Sequence, residues 1–191
     1  MEMSVSYVER DAAGPETLAF YDKAEARFQA LLNIFKVFGH QPEYGQVFTD
    51  TVMAILKDGV LDWNTKELLI LKATQGNDCH YCVVQHERLC DMMGIPAEKV
   101  HDLDGLRYRD SPHFSQGEVA LLDFCVQIGQ DANRVSSDLW TRLNVHWSEP
   151  QIVDAAFVIT TYIAISKFGD ALGVALEPMF DGVEPQLTIN H

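Results

Sequence analysis

Helix start and stop signals follow one another along almost the whole chain, and clear strand alternation is scarce between them. Such punctuation restricts the fold to an all-α arrangement of consecutive helices. Pro15 and Glu16 open a segment in which Leu18, Tyr21, Ala24, Phe28, Leu31, Leu32 and Phe35 recur at helical spacing, which predicts one long helix up to Gly39. Pro42 suits the first position of a second helix, carrying Val47, Phe48, Val52, Ile55 and Leu56 and stopping near Gly59. Asn64-Thr65-Lys66-Glu67 reads as a capping box for a third, which runs to Gly76-Asn77. Asp78 is then placed to cap a helix from Cys79 to Gly94. Ile95-Pro96-Ala97-Glu98 begins a short helical turn, and the polar stretch 107–113, which contains Pro112, predicts a loop. Ser115-Gln116-Gly117-Glu118 is a second capping box, Ser136 or Ser137 caps a short helix around Leu139 and Trp140, and Ser148-Glu149-Pro150-Gln151 opens the most apolar helix. The tail after Pro178, with Gly182 and Pro185, predicts loose order.

With 47% hydrophobic residues in 191, the chain can bury a sizeable core within a single domain. The segment Ile152 to Phe168 is short for a membrane span and carries Asp154, Thr160 and Thr161, so it reads as a buried helix. A net charge of −14 opposes binding to nucleic acid and to anionic membrane surfaces. Met1 to Arg10 has neither a basic start nor an apolar run, so no signal peptide is expected and the default location is the cytoplasm. Four cysteines do not make a disulfide scaffold in a chain of this size. In a reducing compartment a close pair is catalytic, redox-active or metal-binding before it is structural. There is also an internal echo, in which Trp63 to Leu69 can be laid on Trp147 to Val153, and Met93-Gly94-Ile95 on Leu172-Gly173-Val174. The second copy has Gln151 where the first has Glu67, and it has no cysteine pair.

The chemistry concentrates between Glu67 and His86. Cys79 and Cys82 are three residues apart, so on a helix they share a face and can form a disulfide. Cys79 falls in the first turn, where unpaired N–H groups and the helix dipole favour a thiolate. His86 lies one turn beyond Cys82 on the same face, and helical side chains lean toward the N-terminus. Its imidazole therefore tips toward the Cys82 sulfur, where it can take the thiol proton or stabilise the thiolate. A base of this kind needs an orienter, and Glu67, at the start of the preceding helix, is the best-placed carboxylate. Whether it reaches His86 depends on how the two helices cross. The competing reading makes Glu67 the third residue of the Asn64 capping box and nothing more.

Glu67, eleven residues, Cys79-x-x-Cys82, three residues and His86 resembles the motif of the alkylhydroperoxidase D-like and carboxymuconolactone decarboxylase superfamily. The resemblance runs from Leu61 to Gly94, with a weaker extension to Lys167–Pro178, where Ala171-Leu172-Gly173 is similar to the family's ending. It implies a single antiparallel helical domain over 1–191, with N-terminal helices in 1–60, the redox-motif core in 61–104 and C-terminal helices in 115–178. Trimers or hexamers of one chain are implied as well. So is peroxidase or disulfide-reductase chemistry in which a relay from Glu67 through His86 deprotonates Cys82, Cys82 attacks the hydroperoxide, and Cys79 resolves the sulfenic acid. The family's best-known peroxidases carry a His immediately before the second Cys. Here Tyr81 stands there and His80 follows Cys79, so both are possible supporting residues only.

The resulting expectation is a peroxidase-like thiol oxidoreductase acting on a small hydroperoxide, with an unidentified dithiol or protein reductant as partner and no cofactor. Two alternatives accompany it. One is a decarboxylase or isomerase acting on a small ring carboxylate, with His86 and Glu67 as acid and base. The other is a non-enzymatic redox sensor. Zinc binding would have only Cys79, Cys82 and His86, one ligand short of a closed site, so no metal is expected. Cys90 and Cys125 read as buried small hydrophobes, and His40, His113 and His146 as surface or locally bonded residues. Phe20, Phe28, Phe35 and Phe38 read as core or subunit interface, and Tyr162 as a buried phenol whose hydroxyl needs a partner.

Overall fold

Eleven consecutive residues of one helix, Thr65 to Gln75, are buried, although six of them are polar or charged: Thr65, Lys66, Glu67, Lys72, Thr74 and Gln75. A helix this polar can sit in a core only if each polar group finds a partner there. Lys66 pairs with Asp154 at 3.2 Å. The Lys72 ammonium donates to the carbonyls of Leu103 and Gly105 and to Gln75, and the Gln75 amide donates to Asp104 at 2.8 Å. The Thr74 hydroxyl bonds the Ile70 carbonyl at 2.9 Å, and Glu67 reaches across to the next helix.

The computed structural model describes residues 5–189, so the first four residues of the N-terminal segment considered above lie outside the described part. Nine α-helices and no strand occur among the described residues, as an all-α chain requires. The helices are α1 (Pro15–Phe28), α2 (Asn33–Phe38), α3 (Pro42–Ile55), α4 (Trp63–Gln75), α5 (His80–Met92), α6 (Ala97–His101), α7 (Gln116–Asp131), α8 (Ser137–His146) and α9 (Glu149–Leu172). They fall into two compact units, Met1–Lys57 with Phe168–Gly182, and Asp58–Lys167 with Val183–His191.

In the first unit α1 and α2 pack on α3. Their core is aromatic, with Phe35 set between Phe20 and Phe28, and Phe38 stacked on Phe168 at 4.5 Å between ring centroids. The long first helix read from the sequence is in fact two. Gln29 adopts a left-handed conformation and ends α1. The chain restarts at Asn33, whose N–H donates to the Glu177 carboxylate at 2.7 Å and whose amide donates to the Ala175 carbonyl at 3.0 Å. Val47 is 62% exposed on α3.

In the second unit α4 packs against α5 and α7, and α7 against α8. The Ser115–Glu118 box and the Ser136 cap form as expected, while two other caps differ. Asp62, not Asn64, caps α4, accepting from the Thr65 N–H at 2.9 Å. Glu67 is therefore one turn past the capping position. Cys79, not Asp78, caps α5. Asp78 instead takes the left-handed position that ends α4, with the Cys79 N–H returning to Thr74 at 3.1 Å and the Asp78 N–H to Gln75 at 2.9 Å. The stretch 107–113 holds a 3-10 turn (Arg107–Arg109) rather than loop alone, because the fully buried Tyr108 donates to Asp123 at 2.8 Å and Arg109 joins it at 2.8 Å. The C-terminal tail is tied down: the Gln186 and Leu187 N–H groups donate to the Glu87 carboxylate, each at 2.8 Å, and Thr188 to Asp104. Leu187 is 1% exposed, which explains why a segment of loose composition is held.

Helix α9 is long and apolar enough to cross a membrane by length and composition, yet 44% of that stretch is buried within the protein. Ile152, Ala155, Val158, Ile159, Tyr162, Ile165 and Ser166 face inward, while Val153 and Phe157 are 68% and 52% exposed, so the helix is half-buried rather than enclosed. The internal echo holds at two helix ends: Gly94 and Gly173 both have positive φ, with matching bonds from Ile95 to Cys90 and from Val174 to Gly169 at 3.0 Å. It fails at the helix starts, where Gln151 accepts from Ser148 in the box position that Glu67 has left.

Candidate redox site

The turn at Asp78 sets the site. It lies in the four-residue connection 76–79 between α4 and α5, so the two helices form a tight hairpin. Glu67 lies eight residues before the end of α4 and His86 six residues into α5. At 1.5 Å per residue those legs are about 12 and about 9 Å, close enough to bring the two side chains level. His86 Nδ1 is hydrogen-bonded to Glu67 Oε1. Glu67 is 0% exposed, and its second oxygen, Oε2, has no hydrogen-bond partner. The contact that the sequence left open is therefore made.

The Cys79 sulfur accepts the Cys82 N–H at 3.4 Å, so the helix N-terminus bears on Cys79. The two sulfurs lie 2.7 Å apart and neither cysteine is in a disulfide, so the pair is placed to form one. Both cysteines are buried, Cys79 fully and Cys82 with 4% exposed. Tyr81 is buried and His80 half-buried in the same turn. They lie about 100° and about 200° round the helix from Cys82, away from the face that carries His86.

Two residues of α9 complete the surroundings. The Tyr162 ring meets His86 edge-on at 4.9 Å between centroids. Burial, and then the negative charges of Glu67 and Cys82, push the Tyr162 phenol well above its ordinary value, so it stays neutral. Ser166, fully buried, has its hydroxyl 3.8 Å from the Cys82 sulfur and 2.8 Å from the Tyr162 carbonyl. Sequence reading missed Ser166. The available signal was its place one turn after Tyr162, as a polar residue in the most apolar helix.

Cys90 and Cys125 stay outside this cluster as buried thiols. Burial, with Glu67 and Glu87 nearby, pushes the Cys90 thiol up, and burial, against the opposing charge of Lys72, pushes Cys125 up to about 12. His40 bonds the Ser6 carbonyl and His113 bonds Asp102, both on the surface. Among the described residues, no group of three His, Cys, Asp or Glu side chains is arranged to hold a metal ion.

Residues 42–123 match the carboxymuconolactone decarboxylase family. The fold is similar to that of an uncharacterized peroxidase-related protein from Silicibacter sp. TM1040, with a TM-score of 0.81 at 18% identity over 94% of each chain. It is also similar to the alkylhydroperoxidase core of a peroxidase-related protein from Ralstonia eutropha JMP134, with a TM-score of 0.79 at 18% identity over 93% of this chain and 94% of the other. The debrominase Bmp8 in complex with 2,3,4-tribromopyrrole matches with a TM-score of 0.79 at 17% identity, over 96% of this chain and 99% of that one. In sequence, the uncharacterized protein YdfG of Bacillus subtilis is 25% identical over 118 residues, 61% of this chain and 79% of its own length. The family match thus covers the part of the chain that carries Glu67, Cys79, Cys82 and His86, and the solved structures share the all-α fold.

Proposed function

We propose that the protein is a thiol oxidoreductase that reduces small hydroperoxides through Cys82 and Cys79, with His86 and Glu67 as a proton relay. One observation carries the reading: a fully buried carboxylate, Glu67, is bonded to the ring nitrogen of a histidine one turn beyond Cys82. A buried carboxylate with a single partner is costly unless a positive charge offsets it. An imidazolium on His86 supplies that charge, so Glu67 favours the state in which His86 holds the proton of Cys82.

The Cys82 thiolate attacks the outer peroxide oxygen. The S–O bond forms, the O–O bond breaks, and the alkoxide leaves as alcohol after taking the proton from His86. Cys82 is then a sulfenic acid, oxidised by two electrons. Cys79, 2.7 Å away, attacks that sulfur as its thiolate, and the departing hydroxide takes up the Cys79 proton to leave as water. The sum is two thiols and one hydroperoxide giving one disulfide, one alcohol and one water. A dithiol or protein reductant in the cytoplasm returns the two electrons. The working form is a homo-oligomer, a trimer or a multiple of it, for which the exposed apolar side of α9 offers a contact face.

A brominated pyrrole is the second substrate to assay, because a debrominase with that ligand shares the fold. The same thiolate would take the bromine, the ring carbon would take the proton, and Cys79 would displace bromide as the disulfide forms. The deciding experiment traps sulfenic acid after one equivalent of hydroperoxide. Trapping in Cys79→Ser but not in Cys82→Ser is expected. The reverse would exchange the two roles, and no trapping in either variant would remove the peroxidase reading.

A further inference from the structure

Ser166 belongs to a helix far in sequence from the cysteine pair, yet its hydroxyl is 3.8 Å from the Cys82 sulfur. The same hydroxyl is 2.8 Å from the Tyr162 carbonyl one turn back. A serine hydroxyl has one proton to give, so it donates to one of these two acceptors at a time. The Tyr162 carbonyl lies inside α9, where the helix backbone supplies it with a donor, and its bond to the serine is an extra one. Turning the proton away from that carbonyl therefore leaves no buried group unpaired. The sulfur differs. As a thiol it is a weak acceptor, and as a buried thiolate it is a strong one, so a second donor beside the Cys79 thiol gains strength as the charge forms.

We propose that Ser166 is a positioning residue for Cys82, its hydroxyl swinging from the Tyr162 carbonyl to the sulfur when the thiolate forms. This rests on the reading of Cys82 as the attacking thiol. Cys79 and Ser166 touch that sulfur, and one turn along α5 lies His86, which bonds Glu67 on α4 and meets the Tyr162 ring of α9 edge-on. Glu67 is negative and Tyr162 stays neutral. His86 is the proton acceptor, while Ser166 is a donor that never ionises and responds to charge by rotation alone. It stabilises the thiolate without competing for the proton.

The test is the pH profile of Cys82 alkylation by iodoacetamide, read peptide by peptide in a Cys79→Ser background, for Ser166, Ser166→Ala and Ser166→Thr. Loss of a charge-assisted bond of this length in Ser166→Ala is expected to raise the midpoint by about one pH unit. Below both midpoints the rate then falls about tenfold, with the same plateau at high pH. Ser166→Thr, which keeps the hydroxyl, is expected to restore the wild-type midpoint. A packing role alone would change the plateau and leave the midpoint in place, and that result overturns the proposal. If Cys82 in the background protein alkylates no faster than Cys90, the reading of Cys82 as the attacking thiol fails, and the role of Ser166 falls with it. A fast Cys82 whose midpoint ignores Ser166→Ala removes the Ser166 proposal only.

Discussion

Glu67→Gln separates charge from shape at the centre of the site. Glutamine has the same length, and its carbonyl can still accept from His86 Nδ1, so the ring keeps its orientation. What is lost is the negative charge that balances an imidazolium. The substitution also puts an NH2 group where Glu67 Oε2 now has no partner. A hydrogen bond to a charged group contributes about 1.5–3 kcal/mol, and both partners are well buried, Glu67 at 0% and His86 at 12% side-chain exposure. Taking about 2 kcal/mol as the lost preference for the thiolate–imidazolium state gives about a thirtyfold fall in Cys82 reactivity at neutral pH. The loss should shrink as pH passes the free-thiol value near about 8.5, where hydroxide replaces the base. His86→Ala should give a larger loss of the same shape. Asp62 caps α4, so helix capping plays no part in the result. The assay is single-turnover alkylation of Cys82 by a small electrophile from pH 5 to 10. A Glu67→Gln profile that superimposes on wild type would refute the relay and leave Glu67 as a buried hydrogen-bond acceptor.

Mild peroxide should join Cys79 to Cys82 and spare Cys90 and Cys125, whose thiols burial pushes up, and peptide mapping by mass spectrometry reads this directly. Light scattering should return a trimer or a multiple of it, and Phe157→Asp, on the exposed side of α9, should lower the mass toward 21.5 kDa. Asp123 should govern acid stability. Burial raises its carboxyl, but bonds from Arg142, Arg109 and Tyr108 outweigh this and hold it below the ordinary range. A depressed carboxyl stabilises the fold above its unfolded value and loses that contribution as pH falls through its folded value. Asp123→Asn should thus cost about 2 kcal/mol at pH 7, given that both arginines are partly exposed, and lower Tm by about 4–8 °C. The gap between variant and wild type should close below about pH 4, as thermal melts across pH will show.

The part of the site on one helix was legible in the sequence, because Cys79, Cys82 and His86 repeat at helical spacing and any regular helix puts them on one face. The contact between Glu67 and His86 was not, since it depends on where α4 ends. That point is set by Asp78 in a left-handed conformation, a role that glycine or asparagine more often announces. Asp62 and Asn64 are both good caps two residues apart, and composition alone does not choose between them. The break at Gln29 carries no glycine or proline. It is held by Glu177, 144 residues away from Asn33 in the chain, which local pattern cannot reveal. Ser166 was hidden for the opposite reason. A lone serine in an apolar helix is ordinarily satisfied by the carbonyl one turn back, and here it is, with the sulfur as a second acceptor.

The measurement that bears most directly on the central claim is a thiol titration of the reduced protein against a small alkyl hydroperoxide under anaerobic conditions. The account predicts that one equivalent of peroxide removes two of the four thiols, that one equivalent of alcohol appears, and that further peroxide removes no more at the same rate. A dithiol should restore both thiols. Four thiols surviving beside unconsumed peroxide would contradict the claim that Cys79 and Cys82 form a peroxide-reducing centre.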